Sequence, residues 1–167
     1  MFSARDASDI DRFFRGLTEF AFHTRVGIVD PPLVDYVSVL LVRFLRNEAP
    51  GAGTTAAEEA VGVTRLLVET AVQREGGEAL EEYRHIGDVT LFWSGLYPEA
   101  LRRLEHRSLR DPLAAYRETG KRAYWLAATL EPEDAADERR LFERLSNEYD
   151  RCVEGLAEVR RIWGDAA

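Results

Sequence analysis

The sequence has only one cysteine, Cys152, and it has no long hydrophobic run. A lone cysteine excludes an intramolecular disulfide and a metal site built from several cysteines. No uninterrupted apolar stretch reaches the roughly 18 residues that a membrane-spanning helix needs, so no membrane partner is expected. The N-terminal stretch is acidic and lacks the basic start and apolar segment of a secretion signal. We therefore expect a cytoplasmic protein.

Positive charge is also scarce relative to negative charge. The formal net charge is -8 at pH 7, and a polyanion such as a nucleic acid would be repelled by it. Hydrophobic residues make up 46% and charged residues 31% of the 167 residues, which is the balance of an ordered globular chain. This length suits one domain over 1–167, and the net charge argues against nucleic acid as the main partner.

Apolar residues recur at three- and four-residue intervals, and this spacing predicts an all-α protein. We expect a single-domain bundle of six or seven helices with no sheet. The predicted segments are Ser8–Phe22, Pro31–Asn47, a third helix ended by Gly76-Gly77, Glu78–Tyr97, a turn or kinked continuation from Pro98 to Leu104, Pro112–Leu130 and Asp137–Trp163. The second of these is apolar nearly all round, which predicts the central helix of the bundle.

Known catalytic and cofactor-binding patterns are missing. Ser94 lies in W-S-G, which lacks the first glycine of a nucleophile elbow and the strand before it. Glu82 and His85 form half of the pattern used by di-iron bundles, but the chain has no second copy. Cys152 falls on the inward face of its helix, as an inert thiol does. We expect no catalytic residues, no bound metal and no cofactor.

The segment from Arg84 to Leu101 carries the strongest candidate for a site. His85, Asp88 and Phe92 share one helical face between two apolar faces, so the histidine and the carboxylate are expected to be partly desolvated. Such a pair transfers protons in some proteins and locks neighbouring elements together in others. The spacing favours the structural interpretation and leaves the functional one open.

A second candidate surface lies on the helix that begins at Pro112. Tyr116, Gly120 and Tyr124 share one face, and the glycine is expected to open a gap between the two tyrosines. Arg117, Lys121 and Arg122 stand beside that gap. An apolar gap edged by hydroxyls and basic groups suits a small anionic ligand, although tyrosines that simply fill the core would give the same pattern.

These residues also resemble a known family. The run Gly87-Asp88, Leu91-Phe92, Gly95, Pro98-Glu99 and Leu101, followed by Tyr116, Gly120 and Ala123-Tyr124, is similar to a family of uncharacterised bacterial all-helical proteins. The resemblance covers at most the part of the chain from Asp35 to Tyr124. It implies the helical fold and a bacterial origin, and it implies no activity.

Two functional hypotheses follow from the sequence. The first is a non-catalytic helical binding protein that associates with another protein or with itself, most simply as a homodimer. The second is a ligand-binding or catalytic pocket between the helix of His85 and Asp88 and the helix of Tyr116 and Tyr124. The second hypothesis requires a cavity beside those side chains.

Overall fold

The fold is described from a computed structural model, which describes residues 4–47, 54–104 and 111–166. Within these ranges the chain forms helices and turns and contains no β-strand. The helices are α1 (Ala4–Ala21), α2 (Pro31–Asn47), α3 (Thr54–Gln73), α4 (Gly76–Leu96), α5 (Pro98–Arg102), α6 (Pro112–Leu130), α7 (Ala136–Asn147) and α8 (Tyr149–Ala166). The all-α prediction is confirmed, and the eight helices compare with the six or seven expected.

Aspartate followed by proline begins two of the helices, as the sequence predicts. The Asp30 carboxylate accepts a hydrogen bond from the Leu33 amide at 3.2 Å, and Asp111 accepts one from the Ala114 amide at 3.0 Å. Each side chain satisfies one of the amide groups left free in a first helical turn. The following proline has no amide hydrogen to satisfy, which makes it suited to the first helical position.

Helix α4 occupies the centre of the bundle. Every residue from Ile86 to Leu96 is buried, because α6, α3 and α8 pack around this helix. The prediction placed α2 at the centre. In the structure α2 packs mainly against α1 and leaves Asp35, Val39 and Arg43 exposed. Helix α4 therefore takes the central position that the sequence had suggested for α2.

Three boundaries differ from the sequence prediction. A π-helical turn, Phe22–Val26, follows α1 and ends at Gly27, whose φ of 76° lies in the left-handed region that favours glycine. The Gly76-Gly77 pair begins α4 rather than ending α3. The long helix expected from Asp137 to Trp163 is divided at Glu148 into α7 and α8.

Among the described residues, no helix is both long enough and apolar enough to cross a membrane.

Candidate functional site

A buried carboxylate joins three helices at the centre of the molecule. Asp88 of α4 accepts hydrogen bonds on Oδ1 from the hydroxyl of Tyr36 in α2 and from that of Tyr124 in α6, each at 2.7 Å. Its Oδ2 accepts one from the Arg43 guanidinium of α2, also at 2.7 Å. We call these four residues the Asp88 network. Three donors from two neighbouring helices meet on one side chain that is only 4% exposed.

The tyrosines of the Asp88 network act as hydrogen donors and not as bases. Burial raises the pKa of Tyr36 far above its ordinary value, and the negative charge of Asp88 raises it further. The pKa of Tyr124 is raised for the same two reasons, with burial as the larger cause. Both hydroxyls therefore keep their protons at physiological pH. This arrangement holds α2, α4 and α6 together around a carboxylate that is almost fully buried.

The gap predicted between Tyr116 and Tyr124 is filled. A Cβ placed on Gly120 would lie 2.8 Å from the Cβ of Thr90 and would also overlap the hydroxyl of Tyr149. Glycine thus allows α4 and α6 to approach closely, and side chains from α4 and α8 occupy the space. The expectation of an open gap at Gly120 is therefore wrong. Thr90 and Tyr149 fill the space that a side chain at Gly120 would occupy.

Two of the three basic groups expected beside that gap are neutralised. Arg117 and Lys121 form ion pairs with the two carboxylate oxygens of Asp150 at 2.8 and 2.9 Å. Hydrogen bonding from Lys121 and Arg117 lowers the pKa of Asp150 although partial burial opposes this shift, and hydrogen bonding to Asp150 raises the pKa of Lys121. Arg117 therefore serves to join α6 to α8, and no open site for a small anion remains at this position.

His85 does not pair with Asp88. Its imidazole stacks on the ring of Phe44 with the ring centres 6.5 Å apart, and the three hydrogen bonds of Asp88 go to other residues. Phe92 is fully buried and also stacks on Phe44, with the ring centres 4.9 Å apart. Of the predicted site residues, the structure brings Asp88 and Tyr124 together and places His85 and Phe92 against Phe44.

Tyr116 lies at a cavity of its own, away from the Asp88 network. Its hydroxyl hydrogen-bonds to that of Thr64 in α3 at 3.1 Å. Around this pair α3, the end of α5 and α6 enclose a groove of about 400 Å³. We call it the α3–α6 groove. Its lining consists of Val61, Thr64, Arg65, Val68, Glu69, Leu101, Leu104, Pro112, Ala115, Tyr116 and Thr119.

The interior of the α3–α6 groove is apolar in character because its hydroxyl hydrogens are already used. Thr64 donates to the carbonyl oxygen of Ala60 at 2.8 Å, so its oxygen is left to accept the hydrogen of Tyr116. Thr119 donates to the carbonyl oxygen of Ala115 at 3.1 Å. Burial raises the pKa of Tyr116, which keeps its hydroxyl protonated. The groove walls therefore offer an occupant mainly hydrocarbon.

Sequence reasoning missed Tyr36, Arg43 and Arg65. A signal existed for the first two, because Tyr36 and Arg43 are two helical turns apart and so lie on one face of α2. Nothing in the sequence connects that face to Asp88. Within the described parts of the chain, no group of three or more histidine, cysteine, aspartate or glutamate side chains is placed to hold a metal ion.

Comparison with known proteins identifies neither a family nor a function for the chain. No known protein family matches the chain, and neither a curated protein nor a solved structure shows a significant similarity to it.

Proposed function

We propose that the protein is a non-catalytic binding protein and that the α3–α6 groove holds its ligand. The observation that carries this proposal is the size and chemistry of the groove. Its volume of about 400 Å³ lies within the range of roughly 300–1,000 Å³ that is usual for small-molecule sites. Its walls are mostly apolar with a few polar groups at the edge, which is the usual composition of such sites.

The Asp88 network supports binding over catalysis. A general base must lie within reach of a substrate, whereas Asp88 is only 4% exposed and already accepts bonds from Tyr36, Tyr124 and Arg43. The side chains around it are packed, since Gly87 and Gly120 have no room for a Cβ. We assign this network to the stability of the fold. We then choose the α3–α6 groove, because its lining is more apolar than that of two other grooves of about 430 and 330 Å³ among the described residues.

The setting we propose is the bacterial cytoplasm. The single cysteine supports the cytoplasm. The bacterial origin rests on the sequence resemblance alone, since no known family matches the chain. We propose a partner other than nucleic acid, because the net charge of -8 repels a polyanion.

A titration with a neutral apolar probe tests the groove. Benzyl alcohol should shift the methyl NMR resonances of Val61, Val68 and Leu101 in a saturable way, while distant methyl groups stay unchanged. Val68→Trp should fill the groove and abolish the shifts. Val72→Trp adds the same side chain to α3 at a position that is 72% exposed and outside the groove, so it should bind as the wild type does.

Two results would contradict the proposal. The first is the absence of any saturable shift in the wild type, whether the ligand is benzyl alcohol or a benzene derivative that carries charge. The second is equal binding by the wild type and by Val68→Trp, provided that circular dichroism shows the variant to be folded. Ala115→Leu fills the same groove from α6 and checks that the effect of Val68→Trp comes from lost space.

Self-association is a second candidate, favoured by a specific surface on α1. Phe13 is 51% exposed and Phe20 is 50% exposed, and Gly16 between them has no neighbour within 4 Å of a Cβ position. Two antiparallel copies of α1 would bring Phe13 of each against Phe20 of the other, with Gly16 near the two-fold axis. Such a self-complementary contact is typical of symmetric homodimers.

Sedimentation velocity at tens of micromolar tests the dimer. The wild type should sediment as a dimer and Phe20→Glu as a monomer. Leu66→Glu introduces the same charge at an exposed apolar residue of α3 and should remain dimeric. A wild type that sediments only as a monomer would exclude this second candidate and would leave the proposal for the α3–α6 groove intact.

A further inference from the structure

Two opposite charges at the edge of the α3–α6 groove have no partner among the described residues. Arg65 and Glu69 both line the groove from α3 and are exposed. In the described part of the chain neither forms a hydrogen bond or an ion pair. Arg74 and Glu78 have the same order and the same four-residue spacing, and they do pair, at 3.4 Å. Arg65 and Glu69 thus remain available to an occupant of the groove.

A charged ligand in the α3–α6 groove would meet both of these side chains, since both line it. An anion at Arg65 would also meet the carboxylate of Glu69 one helical turn away, and a cation at Glu69 would also meet the guanidinium of Arg65. A zwitterion avoids both repulsions because it presents one charge to each side chain. The interior of the groove, whose hydroxyl hydrogens are bound to Ala60, Thr64 and Ala115, suits a hydrocarbon group.

We infer that the α3–α6 groove binds an apolar amino acid in its zwitterionic form. Its carboxylate pairs with Arg65, its ammonium group pairs with Glu69, and its side chain enters the apolar interior beside Tyr116. This inference rests on the proposed function, since it names the ligand class of the same groove. It replaces the small anion expected from the sequence with a ligand that carries both charges.

Four ligands that share a benzene ring separate the contributions. L-Phenylalanine carries both charges, 3-phenylpropanoate lacks the ammonium group, phenethylamine lacks the carboxylate, and benzyl alcohol lacks both. Titrations followed by the methyl resonances of Val68 and Leu101 should give L-phenylalanine an affinity about tenfold higher than either singly charged analogue, which is the scale of one charge-assisted hydrogen bond.

Variants at the edge of the groove identify the partners. Arg65→Gln should remove the advantage of L-phenylalanine over phenethylamine and leave its advantage over 3-phenylpropanoate. Glu69→Gln should remove the higher affinity of L-phenylalanine relative to 3-phenylpropanoate and keep its higher affinity relative to phenethylamine. Arg74→Gln changes an arginine that lies outside the groove and is paired with Glu78, so it should leave all four affinities unchanged.

The outcomes distinguish the two proposals. If benzyl alcohol binds but L-phenylalanine binds no tighter than the singly charged analogues, the zwitterion inference is overturned and the groove remains a binding site. If Arg65→Gln and Glu69→Gln leave the relative affinities unchanged, the assigned partners are wrong and the inference falls. If none of the four ligands gives a saturable shift, the proposed function fails and the inference fails with it.

Discussion

Gly87 offers the most direct test of the close packing between α4 and α6. A Cβ at this position would lie 2.5 Å from Cδ1 and 2.7 Å from Cζ of Tyr124. The ring has little freedom to retreat. It is fully buried, its centre lies 5.9 Å from that of Phe142 and 6.1 Å from that of Tyr149, and its hydroxyl is bonded to Asp88.

Two opposing effects set the size of the Gly87→Ala change. Alanine is favoured over glycine inside a helix by about 1 kcal/mol. An extra methyl group forced into a packed core costs about 1–3 kcal/mol, and the upper end applies here because the opposing group is a rigid ring held on several sides. The net effect should be a loss of about 2 kcal/mol in the free energy of unfolding. For a chain of this size that lowers Tm by about 4–8 °C.

Gly62→Ala is the matched control. Gly62 lies within α3, and a Cβ built on it meets nothing within 4 Å, so helix propensity alone should stabilise this variant by about 1 kcal/mol. Urea unfolding followed by far-ultraviolet circular dichroism measures both changes. If Gly87→Ala proves as stable as Gly62→Ala, α4 and α6 do not pack as closely as described, and the argument that no gap exists between them is refuted.

Three further predictions concern other buried or paired groups. Asp88→Ala should lower the free energy of unfolding by about 3 kcal/mol, because it removes the acceptor of the Tyr36 and Tyr124 hydroxyls inside the protein. Asp35→Ala, which breaks an exposed ion pair, should cost less than about 1 kcal/mol; urea unfolding measures both. Cys152 is fully buried, and burial raises its pKa to about 12, so Ellman's reagent should label it only after unfolding; rapid labelling of the native protein would contradict this. The pKa of Asp150 is lowered from 3.8, chiefly by the hydrogen bond from Lys121. Its stabilisation should therefore be present above pH 3.8 and be lost as the pH falls through the folded pKa, so Asp150→Asn should be less stable than the wild type near neutral pH and equally stable in strong acid.

Local signals in the sequence predicted most helix starts and missed breaks that depend on packing. Asp30-Pro31 and Asp111-Pro112 mark the first residues of α2 and α6. These starts can be predicted because a capping side chain bonds within its own first helical turn and needs no distant partner. The division at Glu148 has no such signal. The apolar spacing through Leu141, Leu145 and Tyr149 continues without interruption, and no glycine or proline marks the break. The junction is therefore set by the contacts of α7 and α8 with their neighbours.

The candidate site was predicted less well because its contacts join distant parts of the chain. Spacing on one helix suggested His85 as the partner of Asp88, but the partners come from α2 and α6. The choice depends on which helices become neighbours, and periodicity carries no information about that. Tyr116 and Tyr124 share a helical face as predicted, yet the first lies at the α3–α6 groove and the second belongs to the Asp88 network.

The Asp88 network also bears on binding, although it lies away from the α3–α6 groove. It fixes α6 to α4 through Tyr124, and the close approach at Gly87 and Gly120 removes the space in which the two helices would slide. Helix α3, which forms the other wall, packs on the same central helix. Both walls are thus positioned before a ligand arrives. Binding to a preformed groove avoids the entropic cost of ordering helices, and this saving favours the binding that we propose for the α3–α6 groove.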